Sequence, residues 1–140
     1  MMETIVKHGG ACMHVTGFFA YRDLPCGEAS ARAFLAQYQS TGVLDFADCL
    51  GVYRARIDRE DGTAVWFADN YGGSSFFINW QTGTISPSLY ESAAPEERKP
   101  NPVAIAEFLY FGCTYSYDTI FSGVTRSCLL YTSPSPRDGA

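Results

Sequence analysis

The stretch from Gly51 to Asn79 leaves this chain few choices. GVYRARID alternates Val52, Arg54 and Arg56 with Tyr53, Ala55 and Ile57, and such alternation sends each set of side chains to one face of a half-buried strand. The Asp61-Gly62 pair supplies the positive φ that a tight hairpin turn needs, so Ala64 to Asp69, AVWFAD, reads as the returning strand. A turn at Asn70-Tyr-Gly-Gly73 leads into a strand at Ser75 to Asn79, and a turn at Gly83 into Thr84 to Ser86. The expectation is a meander of antiparallel strands in one sheet, with helices covering its faces.

Upstream, Met13 to Ala20, MHVTGFFA, is a run of β-branched and aromatic residues between Gly10 and the turn cluster Asp23-Leu-Pro-Cys-Gly27, which predicts a further strand. Ala31, Phe34, Leu35 and Tyr38 then fall on one face of a helix from Glu28 to Ser40 that Gly42 ends, and a short helical turn is expected at Leu44 to Leu50. A polar loop covers Pro87 to Pro100. Asn101 as N-cap and Pro102 at the first helical position open a second helix with Ala104, Ile105, Phe108, Leu109 and Phe111 as a wide apolar face, and Gly112 stops it. TYSYDTIFSGVTR follows as an extended segment.

The 140 residues bound this to one globular domain or part of one. At 15% aromatic and 18% charged the chain is no disordered polyampholyte, and its apolar runs fall short of the ~20 residues that span a bilayer. With 10 Lys+Arg against 15 Asp+Glu the net charge is −5, and no basic stripe offers itself to phosphates, so neither nucleic acid nor membrane is an expected partner. The N-terminal MMETIVKHGG lacks the basic and apolar regions of a secretory signal, which makes a cytoplasmic setting the expectation.

Cys12, Cys26, Cys49, Cys113 and Cys128 form no CxxC pair, and they read as reduced, partly buried thiols rather than a zinc site or a disulfide framework. Cys12 and Cys26 could serve as nucleophiles, but sequence position pairs neither with a histidine base. His8 and His14 lack a third partner at metal-ligand spacing, and no metal site is expected. Asp58, Glu60 and Asp61 read as turn chemistry rather than a Mg²⁺ site. Phe76, Phe77, Phe108, Phe111 and Trp66 are expected in the core, and no Gly-rich phosphate loop is present.

The segment from Cys128, CLLYTSPSPRD, changes character, with two Ser-Pro steps and no apolar periodicity. It resembles the translation of a common sequencing-library adapter. Residues 128–140 are therefore read as a non-native, adapter-derived tail, and 1–127 as part of a domain in a longer gene product.

Within 1–127 the order of segments is similar to one family. Leu50-Gly51-Val52-Tyr53, the Asp61-Gly62 turn, AVWFADNYGG and SSFFIN resemble the asparagine synthase succession of L-x-G-x-F, turn, strand, Asp-Arg-x-Gly and strand. IAEFLYFGCTYSYDTIFSGVTR is similar to that family's "eyL-fG… TlF-gI" block, with Thr119-Ile120-Phe121 and Gly123 in place. The likeness spans Met13 to Arg126. It implies an α+β fold, with antiparallel sheets flanked by helices. This would be an incomplete N-terminal-nucleophile-hydrolase-like (αββα) domain, the type 2 glutamine amidotransferase-like part of an amide ligase. A missing C-terminal synthetase domain would bind ATP and Mg²⁺ and adenylate a carboxylate for attack by ammonia, in a parent that could be a homodimer. No cofactor is implied for 1–127 itself.

Carried over residue by residue, the resemblance implies lost chemistry. The family's nucleophile is an N-terminal Cys whose free amine serves as base, whereas this chain begins Met1-Met2-Glu3 and Cys12 lies further in. The family's oxyanion segment, Asn-Gly-Glu-x-Tyr-Asn, falls on Thr16-Gly17-Phe18-Phe19-Ala20-Tyr21, so only Gly17 remains as a substrate-binding position. One lost oxyanion donor costs ~10²–10³ in rate. Glu28 is a poor match to the family's later Asp. Gly51, Asp69, Gly72 and Gly123 are read as structural positions, Asp69 capping a turn and Gly72 supplying positive φ. The expectation is thus a domain without glutaminase activity, acting structurally. The alternatives are a gene start placed so that a catalytic N-terminus is cut off, a small stand-alone binding or interaction domain, and a parent that takes ammonia directly.

Overall fold

The computed structural model describes residues 2–69, 74–127 and 133–134. In chain order the elements are β1 (Glu3–His8), β2 (Ala11–Tyr21), α1 (Glu28–Thr41), β3 (Cys49–Asp58), β4 (Ala64–Ala68), β5 (Phe77–Asn79), β6 (Ile85–Ser86), α2 (Pro102–Phe111), β7 (Val124–Arg126) and β8 (Ser133–Pro134). The class is α+β with two antiparallel sheets, ordered β1-β2-β3-β4-β8 and β6-β5-β7. The chain forms two compact units, 1–74 with 129–140, and 75–128. No helix among the described residues is long and apolar enough to cross a membrane.

In the first unit the period of two decides which face is covered. Met13, Val15, Phe19 and Tyr21 of β2 and Tyr53, Ala55 and Ile57 of β3 all point to one side and are buried. Ala31, Phe34, Leu35 and Tyr38 of α1 complete this core. Phe34 packs its ring edge-on at 5.5 Å from Phe19 and 5.3 Å from Tyr21. α1 begins at Gly27 with no side-chain cap, so its stability rests on this apolar stripe, each large side chain contributing about 1.5–3 kcal/mol by burial. Gly42 closes it in the left-handed conformation, donating its N–H to Tyr38 O at 2.7 Å.

The structure adds β1, which pairs with β2 from Glu3↔Thr16 to His8↔Ala11 and turns through Gly9-Gly10 alone. It also replaces the helical turn expected at Leu44 to Leu50. Asp45 Oδ1 accepts from Ala47 N at 3.3 Å, a local turn that competes with helix, and Cys49 and Leu50 already pair with Tyr21 and Ala20 as β3. Cys49 is buried there while Leu50 faces out. The Asp61-Gly62 hairpin forms, Asp61 Oδ1 accepting from Thr63 N at 2.9 Å and from the Thr63 hydroxyl at 2.7 Å. Those two hydrogen bonds hold the Asp61 carboxyl below the usual carboxylate range.

The expected single meander is corrected to two sheets. β5 is bracketed by β6 and β7, with Phe77↔Ser86 on one side and Phe77↔Arg126 on the other. Both of its hydrogen-bonding edges are used, which leaves none for β4. In this second unit Asn79, 3% exposed, donates from Nδ2 to Ser92 O at 3.1 Å and accepts from Gln81 N at 3.0 Å, tying β5 to the loops beside it. Around Gly123 the buried Thr119 hydroxyl donates to Val124 O at 2.9 Å and accepts from Phe121 N at 3.2 Å.

Asn101 caps α2 by accepting from Ala104 N at 3.4 Å, with Pro102 in the first turn and Gly112 at the end. The packing of α2 differs from expectation. Of its residues Ala104 is buried, whereas Val103, Phe108, Leu109, Tyr110 and Phe111 are exposed. Phe76 is a core residue, but Phe108 and Phe111 are not.

Candidate functional site

Gly17 and Gly51 are brought together in the β2–β3 ladder. Their φ angles are +109° and +125°, a region that side chains other than glycine's rarely enter. The paired residues Phe18 and Val52 lie between them, and each glycine presses on a carbonyl of that pair. A Cβ at Gly17 would stand 2.3 Å from Val52 O, and one at Gly51 would stand 2.0 Å from Phe18 O. The two positions answer to one local constraint, a close approach of two backbones.

The hydrogen bonding of Gly17 bears on the oxyanion position that the resemblance implied. Its N–H donates to Met2 O at 2.9 Å and so extends the β1–β2 ladder. A donor aimed along a ladder is not presented to a developing oxyanion, which needs N–H groups converging on one point outside the sheet. On either side, Thr16 is half-buried, Phe18 is 68% exposed, and Phe19 is sealed in the core.

Asp69 follows β4. Its N–H donates to Tyr53 O at 3.0 Å, and its carboxylate, in a residue 1% exposed, accepts from Ser74 N at 3.0 Å. Gly72 and the Asn70 to Gly73 turn lie outside the described residues, as does Cys128. Gly123 belongs to the second unit, with φ +81° at the Thr119 turn.

A cluster that sequence spacing did not assemble lies on the face of the first sheet opposite α1. Cys12 and His14 are two apart on β2 and share that face, where the register sets Asp58 beside Cys12 and Arg56 beside His14. Cys12 Sγ is 3.5 Å from His14 Nε2. Asp58 Oδ2 is 3.3 Å from the same nitrogen, and Arg56 reaches Asp58 Oδ2 at 3.0 Å. The Arg56 guanidinium lies 5.4 Å from the centroid of the Trp66 ring, and its Nε has no acceptor among the described residues. Thiol and carboxylate thus address one imidazole nitrogen, unlike a hydrolase triad, which uses the two ring nitrogens separately. When that nitrogen is unprotonated it can accept the thiol proton.

The other thiols have different surroundings. Cys26 and Cys113 are exposed, and Cys49 is buried with its thiol donating to Asp45 O at 3.3 Å. Burial first, and the nearby Asp45 and Asp48 charges next, push the Cys49 thiol up to about 12 against the lowering effect of its Tyr53 hydrogen bond. Among the described residues no group of three or more His, Cys, Asp or Glu is placed to hold a metal ion.

In comparisons with known proteins, no family model, no curated protein and no solved structure matches the chain.

Proposed function

We propose that this chain is the glutaminase-like domain of an asparagine synthase-like amide ligase. In this reading it has lost glutamine hydrolysis and serves as a structural partner to an ATP- and Mg²⁺-dependent synthetase domain in the cytoplasm. The observation that carries the loss is the Gly17 N–H, engaged by Met2 O in a strand ladder. The positions around it hold Thr16, Phe18, Phe19 and Ala20 where the resembling family places oxyanion and substrate contacts. Without converging donors, a tetrahedral intermediate on the glutamine amide gains little over water.

Two features support the fold part of the reading. The first unit lays one helix, α1, on one face of an antiparallel sheet, the pairing that one α and one β layer of an αββα sandwich would require. The second unit carries a short antiparallel sheet and a helix in the order the resemblance implies. The exposed side chains of α2, with Leu109 at 79% and Tyr110 at 86%, suit a domain that packs against further protein. Asn101 N donates to Ile120 O at 2.8 Å, so this apolar flank begins beside Phe121.

Reading the parent gene downstream of the codon for residue 127 tests the assignment. A Ser-Gly-Gly-x-Asp nucleotide loop in the same frame is the expected result. A downstream domain of another kind, or a stop codon in the native gene at that point, contradicts it.

A further inference from the structure

We propose that Cys12 is a nucleophilic modification site for small soft electrophiles, with His14 accepting its proton. The argument starts from accessibility. Cys12 is partly exposed, and the His14 side chain keeps 29% of its surface open, on the sheet face that α1 does not cover. A thiol becomes a good nucleophile when a neighbouring base takes its proton and nearby cations stabilise the thiolate. His14 Nε2 at 3.5 Å supplies the base.

The charges around the pair come from both flanking strands. β1 places Lys7 opposite Cys12 and the uncharged Ile5 opposite His14. β3 places Asp58 opposite Cys12 and Arg56 opposite His14, and beyond it β4 offers only Ala64 and Trp66 at those levels. The Asp58 carboxylate lies beside both groups. Its charge is offset by Arg56 at 3.0 Å, so the form with thiolate, imidazolium, carboxylate and guanidinium together is neutral, with Lys7 in addition. That balance distinguishes Cys12 from Cys26 and Cys113, exposed thiols for which no imidazole contact is found among the described residues.

With a haloacetamide the step runs as follows. The S–H proton passes to His14 Nε2, the sulfur electron pair forms an S–C bond at the methylene carbon, and the carbon–iodine bond breaks with iodide leaving. The imidazolium then returns its proton to water, and no redox partner is involved.

The test is labelling of the intact, folded chain with limiting iodoacetamide at pH 7, read as the modified fraction of the peptides that contain Cys12, Cys26 and Cys113. Cys12 is expected to react on the order of tenfold faster than the other two, and His14→Gln to remove that advantage while leaving their rates unchanged. Labelling of Cys12 no faster than Cys26 and Cys113, or an unchanged Cys12 rate in His14→Gln, overturns the proposal. Should that variant fail to fold, His14→Asn, which keeps a polar side chain of similar size, decides by the same ratio: a Cys12 rate reduced to that of Cys26 and Cys113 supports the proposal, and an unchanged rate overturns it. No glutamine takes part, so the outcome is separate from the loss of glutaminase activity.

Discussion

Gly51→Ala is expected to destabilise the chain by about 3–5 kcal/mol, a large share of what a domain of this size has to lose. Two costs add. The φ of +125° at Gly51 lies where an L side chain is strained, which costs about 1–3 kcal/mol by itself. The new Cβ would also stand 2.0 Å from Phe18 O, and a backbone carbonyl in a paired strand cannot swing aside as a side-chain tip can. Relief requires β2 and β3 to separate around Phe18 and Val52, at the centre of the sheet that carries the core. Urea unfolding followed by far-UV circular dichroism measures this. A midpoint within error of the unsubstituted chain contradicts the close approach. Gly62→Ala, at a turn where a Cβ meets nothing within 4 Å, is the control for positive φ alone.

Alkaline pH is expected to remove a second large increment, through Cys49. Its thiol is raised from an ordinary value of 9.0 to about 12, first by burial. Between those values the unfolded chain has released the proton while the folded chain still holds it. The stabilisation is therefore complete below about pH 9, and it falls by about 1.4 kcal/mol per pH unit, to a total near 4 kcal/mol by pH 12. Burial pushes the Tyr53 hydroxyl up as well, which adds a loss of the same sign at higher pH. The difference between the unsubstituted chain and Cys49→Ala isolates the thiol. Urea midpoints measured from pH 8 to 10.5 are expected to fall more steeply for the chain that keeps Cys49, and parallel slopes contradict the assignment.

How far the fold could be read from residues depended on the range of the interactions that decide it. The helix from Glu28 and the hairpin at Asp61-Gly62 were legible because spacing, cap and turn chemistry all lie within a few residues. β1 is not legible although Gly9-Gly10 is a two-residue hairpin signal, because the strand before it, ETIVKH, is short and has only Ile5 and Val6 as apolar residues. The division into two sheets depends on β7 pairing with β5 across the polar loop and α2. The apolar face expected on α2 is present as a pattern, but a pattern does not say what covers it, and Phe108 at 55% and Phe111 at 56% exposure are uncovered in this chain.

The same distinction governs the sites. Gly17 was visible as the one position of its segment that matches the resembling family, but only strand pairing reveals that its N–H is directed at Met2 O. Cys12 and His14 are two apart, which places them on one face as soon as the strand is known to begin at Ala11 rather than Met13. Asp58 and Arg56 join them through the β2–β3 register, which no spacing within one segment encodes.

The most direct measurement is ammonia release from L-glutamine by the purified chain, followed against time and protein concentration with Cys12→Ala alongside. The account predicts release at the rate of the protein-free blank for both. Release that scales with the unsubstituted chain and disappears in Cys12→Ala contradicts it, because the strand holding Gly17 would then belong to a working glutaminase.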